Sequence, residues 1–120
     1  MRILLVEDEP DLAATLRKSL AESGFSVDVT ADGGEALWQT EGTAYDVIVL
    51  DLMMPNLDGF TFINQLSDSQ PDRLRSVIVT SAASPAVIRQ RMKGQAFRVL
   101  PKPFDIHELV AAVRSCIAQS

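Results

Sequence analysis

Asp51 follows the apolar run Val47-Ile48-Val49-Leu50 and precedes Leu52-Met53-Met54-Pro55. An ionised carboxylate at the end of so apolar a segment costs several kcal/mol unless something compensates it. Other charged residues stand at matching places. Glu7 and Asp8 follow Ile3-Leu4-Leu5-Val6, and Lys102, between Pro101 and Pro103, follows the last apolar run. Three acids and one lysine at the ends of strands point to a bound cation and a phosphoryl group.

Each of these residues has a chemical and a plainer reading. The Asp51 carboxylate can attack a phosphoryl group to form an acyl phosphate; the plainer alternative is an Asp that opens a loop and caps its backbone. Glu7 and Asp8 offer the hard oxygens that Mg2+ takes, Asp8 directly and Glu7 directly or through water. Alternatively, Glu7-Asp8-Glu9-Pro10 only starts a helix, where acids suit the positive end of the dipole. Lys102 supplies the compensating charge, because a compact ammonium can meet both Asp51 and a phosphoryl oxygen. Ser81 follows the fourth apolar run, and its hydroxyl can donate to a phosphoryl oxygen. Thr80 is its rival, since neighbouring strand positions face opposite sides; we take Ser81 as the switch hydroxyl. His107 is expected at the surface, and Cys116, Trp38, Met53 and Met54 in packing.

The elements that position these residues are legible. Short apolar runs alternate with helical patterns, with strands expected at 2–6, 25–29, 46–50, 76–80 and 97–100. The central runs are continuous Val, Ile and Leu, as in parallel strands covered on both faces. Pro10 suits a first helical turn, and Leu12, Leu16 and Leu20 form a stripe that stops at Gly24. Asp32 with Glu35 and Asp105 with Glu108 read as capping boxes, and Ser84-Pro85 as a helix start. Ile106, Leu109, Val110, Val113 and Ile117 share one face of the last helix. Strict alternation predicts an α/β fold with a parallel sheet and right-handed crossovers. Ligands in such sheets bind beyond the carboxyl ends of the strands, where Glu7, Asp8, Asp51, Ser81 and Lys102 all fall.

Composition narrows the function. The 120 residues suit one domain, 1–120, and 47% hydrophobic content supports a full core. No apolar run approaches the roughly 20 residues that cross a bilayer, and the amino terminus does not read as a signal peptide. A net charge of −5 disfavours direct contact with nucleic acid or an anionic membrane, although Arg89, Arg91, Lys93 and Arg98 cluster. Cys116 stands alone, which suits a reducing cytoplasm.

Ile3-Leu4-Leu5-Val6-Glu7-Asp8-Glu9, Asp46 through Pro55, Leu57-Asp58-Gly59 and Lys102-Pro103-Phe104, in this order and spacing, resemble a response-regulator receiver domain over essentially the whole chain. The resemblance implies a flavodoxin-like (βα)5 three-layer sandwich with strand order 2-1-3-4-5. It implies Asp51 as acceptor of a phosphoryl group from the phosphohistidine of a sensor histidine kinase or phosphotransfer protein. Mg2+ would sit on Asp8, Asp51 and the Met53 backbone carbonyl, with Glu7 beside them. It also implies a cis peptide before Pro103 and an output protein or domain controlled through the fourth helix, fifth strand and fifth helix. Such a domain is no enzyme beyond its own phosphotransfer and dephosphorylation.

The chain departs from the family pattern at Gly94-Gln95-Ala96-Phe97-Arg98-Val99. Val99 takes the usual aromatic switch position, so no ring is expected to swing in behind Ser81. Ala112 stands where transcription-factor-type receivers often carry Arg, so their salt-bridged dimer is not expected. Met53 and Ala83 carry no group to orient a water, so slow loss of phosphate is expected. Two other classes fit the residues less well. A haloacid-dehalogenase-type phosphatase would want an acid at position 53, and a flavin or nucleotide carrier would want a glycine-rich loop after the first strand. A degenerate receiver that only binds partners would not keep the acids, hydroxyl and lysine.

Overall fold

The computed structural model describes residues 1–52, 59–92 and 96–119. Five strands and five α-helices alternate: β1 Arg2–Val6, α1 Pro10–Glu22, β2 Ser26–Thr30, α2 Gly33–Gly42, β3 Val47–Asp51, α3 Gly59–Ser69, β4 Val77–Ser81, α4 Pro85–Arg91, β5 Arg98–Pro101 and α5 Ile106–Ala118, with a 3-10 turn at Pro71–Ser76 before β4. All pairings are parallel, and the order is β2-β1-β3-β4-β5. This is the flavodoxin-like sandwich that the resemblance implied.

Alternation along the strands builds two cores. Leu4, Val6, Ile48, Leu50, Val77 and Val79 face a cluster with Ala36 of α2, Phe60, Phe62, Ile63 and Leu66 of α3, and Ile88 of α4. Ile3, Leu5, Val47, Val49, Ile78 and Leu100 face Leu16 and Leu20 of α1 and Leu109, Ala112, Val113 and Cys116 of α5. Each fully buried Leu or Ile contributes roughly 1.5–3 kcal/mol.

The helix ends follow the expected chemistry. Gly24 has φ +96° after α1, a conformation that favours glycine. Asp105 and Glu108 form a full capping box on α5. On α2 the expected box differs: the Asp32 carboxylate accepts from the Gly34 and Glu35 N–H groups, but the Asp32 N–H donates to Thr30 Oγ1 in place of the Glu35 side chain. Ser84 Oγ accepts from the Val87 N–H. The Lys102–Pro103 peptide is cis.

Two expectations need correction. β2, β3, β4 and β5 each start and end one residue later than read from the sequence. The apolar runs stop at Leu50 and Thr80, but the backbone ladder continues, with the Leu52 N–H donating to the Thr80 carbonyl and the Lys102 N–H to the Ser81 carbonyl. Asp51 and Ser81 are therefore the last residues of their strands. Trp38 is 73% exposed rather than packed. The buried stripe of α2 is Gly33, Ala36 and Thr40, and Trp38, two residues past Ala36, falls on the other side of the helix. Met53 and Met54 lie outside the described residues, as does the Asp58 half of the expected turn.

Candidate functional site

The sheet brings the ends of β1 and β3 side by side, and β4 and β5 follow across it. Glu7 and Asp51 are buried, at 3% and 4% exposure, and Asp8 is half-buried. Ligand oxygens of Glu7, Asp8 and Asp51 all lie within 4.8 Å of one another. Lys102 reaches in from the end of β5. Its Nζ donates to Glu7 Oε1 at 2.9 Å and to Asp51 Oδ2 at 3.2 Å. Glu7 Oε2 accepts from the Glu9 N–H at 3.3 Å, which pins the first loop around its carboxylate.

The charges do not balance. Among the described residues, three carboxylates and one ammonium carry a formal charge of −2, since −3 + 1 = −2. Burial pushes the Glu7 carboxyl up to about 7, the Lys102 hydrogen bond opposes this, and the Asp51 charge adds to it. Burial works against the charge on Lys102. Its hydrogen bond to Glu7 and the charges of Asp51 and Glu7 outweigh that, so its pKa is raised. A site with surplus negative charge and clustered hard oxygens suits a small divalent cation, and these donors fit Mg2+.

The two candidate hydroxyls sit differently. The register sets Thr80 beside Asp51, on the same side of the sheet by alternation. Ser81 is one residue further along, and its Oγ accepts from the Ala83 N–H at 2.9 Å. Both are buried. Met53 lies outside the described residues, so its carbonyl is not placed.

Two features escaped the sequence reading. Lys102 bridges Glu7 as well as Asp51, a contact across 95 positions that no local pattern encodes. Gly59, read as part of a turn, lets α3 start flush against β3. A side chain there would collide with the Leu52 Cα and the Asp51 carbonyl oxygen, and the Gly59 N–H donates to the Leu52 carbonyl at 3.0 Å. The tight start holds the helix against the strand that carries Asp51.

The sequence profile of the response regulator receiver domain matches residues 3–114. The chain belongs to the receiver-domain family. This receiver is 42% identical over 120 residues to the transcriptional activator protein IrlR of Burkholderia pseudomallei, covering 98% of this chain and 50% of that protein. It is 38% identical over 117 residues to the transcriptional regulatory protein TcrA of Mycobacterium tuberculosis, covering 96% and 45%. The receiver thus spans about half the length of these curated relatives. Among solved structures, a Francisella response regulator receiver domain matches with 32% identity and TM-score 0.86, covering 98% of this chain and 97% of that one. The receiver domain of a sensor histidine kinase from Pseudomonas aeruginosa, solved with magnesium in its active-site cleft, matches with 29% identity and TM-score 0.86, covering 98% and 97%. The chain is thus a receiver of two-component signalling, a class that is not enzymatic in the usual sense. No helix among the described residues is long and apolar enough to cross a membrane.

Proposed function

We propose that residues 1–120 form a cytoplasmic phosphorylation switch in which Asp51 accepts a phosphoryl group from a sensor histidine kinase or phosphotransfer protein. The observation that carries this reading is the cluster of Glu7, Asp8 and Asp51 around a single Lys102 ammonium. One Asp51 oxygen attacks phosphorus, the P–N bond to the donor histidine breaks, and the imidazole leaves with the bonding pair and takes up a proton. Asp8 and Asp51 would hold Mg2+ with the Met53 carbonyl, and Glu7 would ligate directly or through water. The ion, when bound, supplies positive charge that offsets the incoming phosphoryl oxygens. Lys102 keeps Asp51 oriented and can turn its ammonium to a phosphoryl oxygen.

Ser81 is kept as the switch hydroxyl, although Thr80 is the one in register with Asp51. Turning its hydroxyl toward Asp51 gives up the bond from the Ala83 N–H, which frees the start of the loop before α4. A cavity of about 310 Å³ lined by Ala83, Pro85, Ile88 and Val99 gives that loop room to move. The α4–β5–α5 face then shifts population and controls an output protein or domain. The net charge of −5 argues against direct nucleic-acid contact by this domain, and nothing in the reading calls for a membrane. With apolar residues at positions 53 and 83, two after Asp51 and Ser81 in the sequence, self-dephosphorylation is expected to be slow.

The test is intact mass after incubation with Mg2+ and acetyl phosphate. The wild type should gain one labile phosphate, and an Asp51→Asn variant that gains the same phosphate removes Asp51 from its role. Comparing amide NMR shifts with and without beryllofluoride separates the hydroxyls. Ser81→Ala should lose most of the response in β5 and α4, and a loss in Thr80→Ala alone transfers the role to Thr80.

A further inference from the structure

A cavity of about 850 Å³ opens along the free edge of β2 and shares no residue with the Glu7–Asp51–Lys102 cluster. Among the described residues, β2 pairs with β1 alone. In a parallel ladder, alternate residues bond to a given neighbour. The Ser26 N–H donates to the Met1 carbonyl and the Thr30 carbonyl accepts from the Glu7 N–H, so Ser26, Asp28 and Thr30 address β1. The N–H and C=O groups of Val27 and Val29 therefore point out of the sheet, into the cavity they line.

The walls carry a pattern. Val27 and Val29 pair with Ile3 and Leu5, whose side chains lie under α1 and α5, and Arg17 of α1 borders the cavity on that side. Asp28 pairs with Leu4, whose side chain lies in the core under α2, and Trp38 and Glu41 of α2 border it on the other; there Arg2 also lines the cavity and already neutralises Asp28, which leaves Glu41 as the unpaired charge of that wall. Trp38 is 73% exposed and Val29 37%. Arg17 and Glu41 have no ion-pair partner among the described residues.

We propose that this groove takes an extended segment of another polypeptide, which joins the sheet beside β2. Main-chain bonds to Val27 and Val29 would supply affinity, and the two walls would choose the side chains. The side facing α1 carries aliphatic and acidic residues, against Val27, Val29 and Arg17. The side facing α2 carries basic residues, near Glu41, beneath the Trp38 ring. A second copy of this chain fits worse. A two-fold pairing of two such edges runs them antiparallel and keeps α1 on the same face of both, and the pairing that joins Val27 to Val29 centres on Asp28. Asp28 then opposes its own copy, and the charges on each helix approach their equals, which destabilises such pairs.

The experiment titrates the full chain with a capped heptapeptide alternating threonine and lysine with valine and glutamate, in the order T-V-K-E-K-V-T. The control exchanges its lysines and glutamate for the opposite charge. Emission from Trp38, the one tryptophan, and hydrogen exchange at the Val27 and Val29 amides are the readouts. The first peptide should shift the emission saturably and slow exchange at those two amides. The control should bind about tenfold more weakly, and Arg17→Glu, a change at an exposed residue, should narrow or reverse that preference. Equal binding of both peptides, or a shift without protection of Val27 and Val29, overturns the proposal. So does protection that rises with protein concentration alone together with a dimer in sedimentation, which makes a second copy the occupant. Phosphorylation of Asp51 plays no part in these readouts.

Discussion

Two acid–cation pairs sit at nearly the same separation in this molecule and do different things. On the edge strand, Arg2 Nη2 lies 3.0 Å from Asp28 Oδ2, with both side chains partly in solvent, at 52% and 37% exposure. At the rim, Lys102 Nζ lies 3.2 Å from Asp51 Oδ2, with exposures of 20% and 5%. Asp28 is satisfied by one guanidinium and the Tyr45 hydroxyl, which donates to it at 2.8 Å. Asp51 shares the Lys102 ammonium with Glu7 and stands beside Asp8 as well. The difference teaches that distance does not make a site. A neutral, solvated pair staples a strand, whereas a buried surplus of negative charge is unstable until a cation or a proton arrives.

The largest contrast is covalent. Asp51→Asn should abolish phosphate uptake from acetyl phosphate, and Asp28→Asn should leave it unchanged by intact mass. A labelled Asp51→Asn protein, or an unlabelled Asp28→Asn protein, breaks the comparison.

Next comes pH. The Glu7 carboxyl has a folded pKa of about 7 against an ordinary value of 4.5, with burial as the main cause. Between those values the folded metal-free chain holds a proton that the unfolded chain has released. The unfolded state binds fewer protons, so stability falls as pH rises through this window, by about 3 kcal/mol at most. Urea midpoints in EDTA at pH 5 and pH 7.5 check this. Glu7→Gln should flatten that slope, and a variant with the wild-type slope shows that Glu7 is not its source.

A smaller effect concerns the metal alone. Asp8→Ala removes one hard oxygen and should weaken Mg2+ binding about tenfold or more, near 1.4 kcal/mol, by calorimetry. Unchanged affinity in that variant would take Asp8 out of the ligand set. The smallest effect is at the edge. Asp28→Asn should cost less than about 1 kcal/mol in urea unfolding, because its ion pair is half in solvent. Burial, and then the bond to Asp28, raises the pKa of Tyr45, so that value should also drop part of the way in Asp28→Asn. A loss of several kcal/mol would mean that the edge pair organises the fold as well.

The sequence by itself determined the layered fold and the roster of charged residues. Continuous apolar runs such as Ile3 through Val6 and Val47 through Leu50 can only be buried on both faces, and alternation with helical stripes then makes the sheet parallel. The acids and the lysine stood out because each ends such a run. Strand ends, by contrast, shifted by one residue, since hydrogen bonding to the next strand, not apolarity, decides where a ladder stops. Only the tertiary structure decided that Lys102 serves two carboxylates, that Thr80 rather than Ser81 stands in register with Asp51, that Gly59 must lack a side chain, and that Trp38 lies in the open beside an unpaired strand edge. Each depends on contacts between segments far apart in the chain. Hydrophobic periodicity reports which face of an element is covered, but not which atoms of another element cover it.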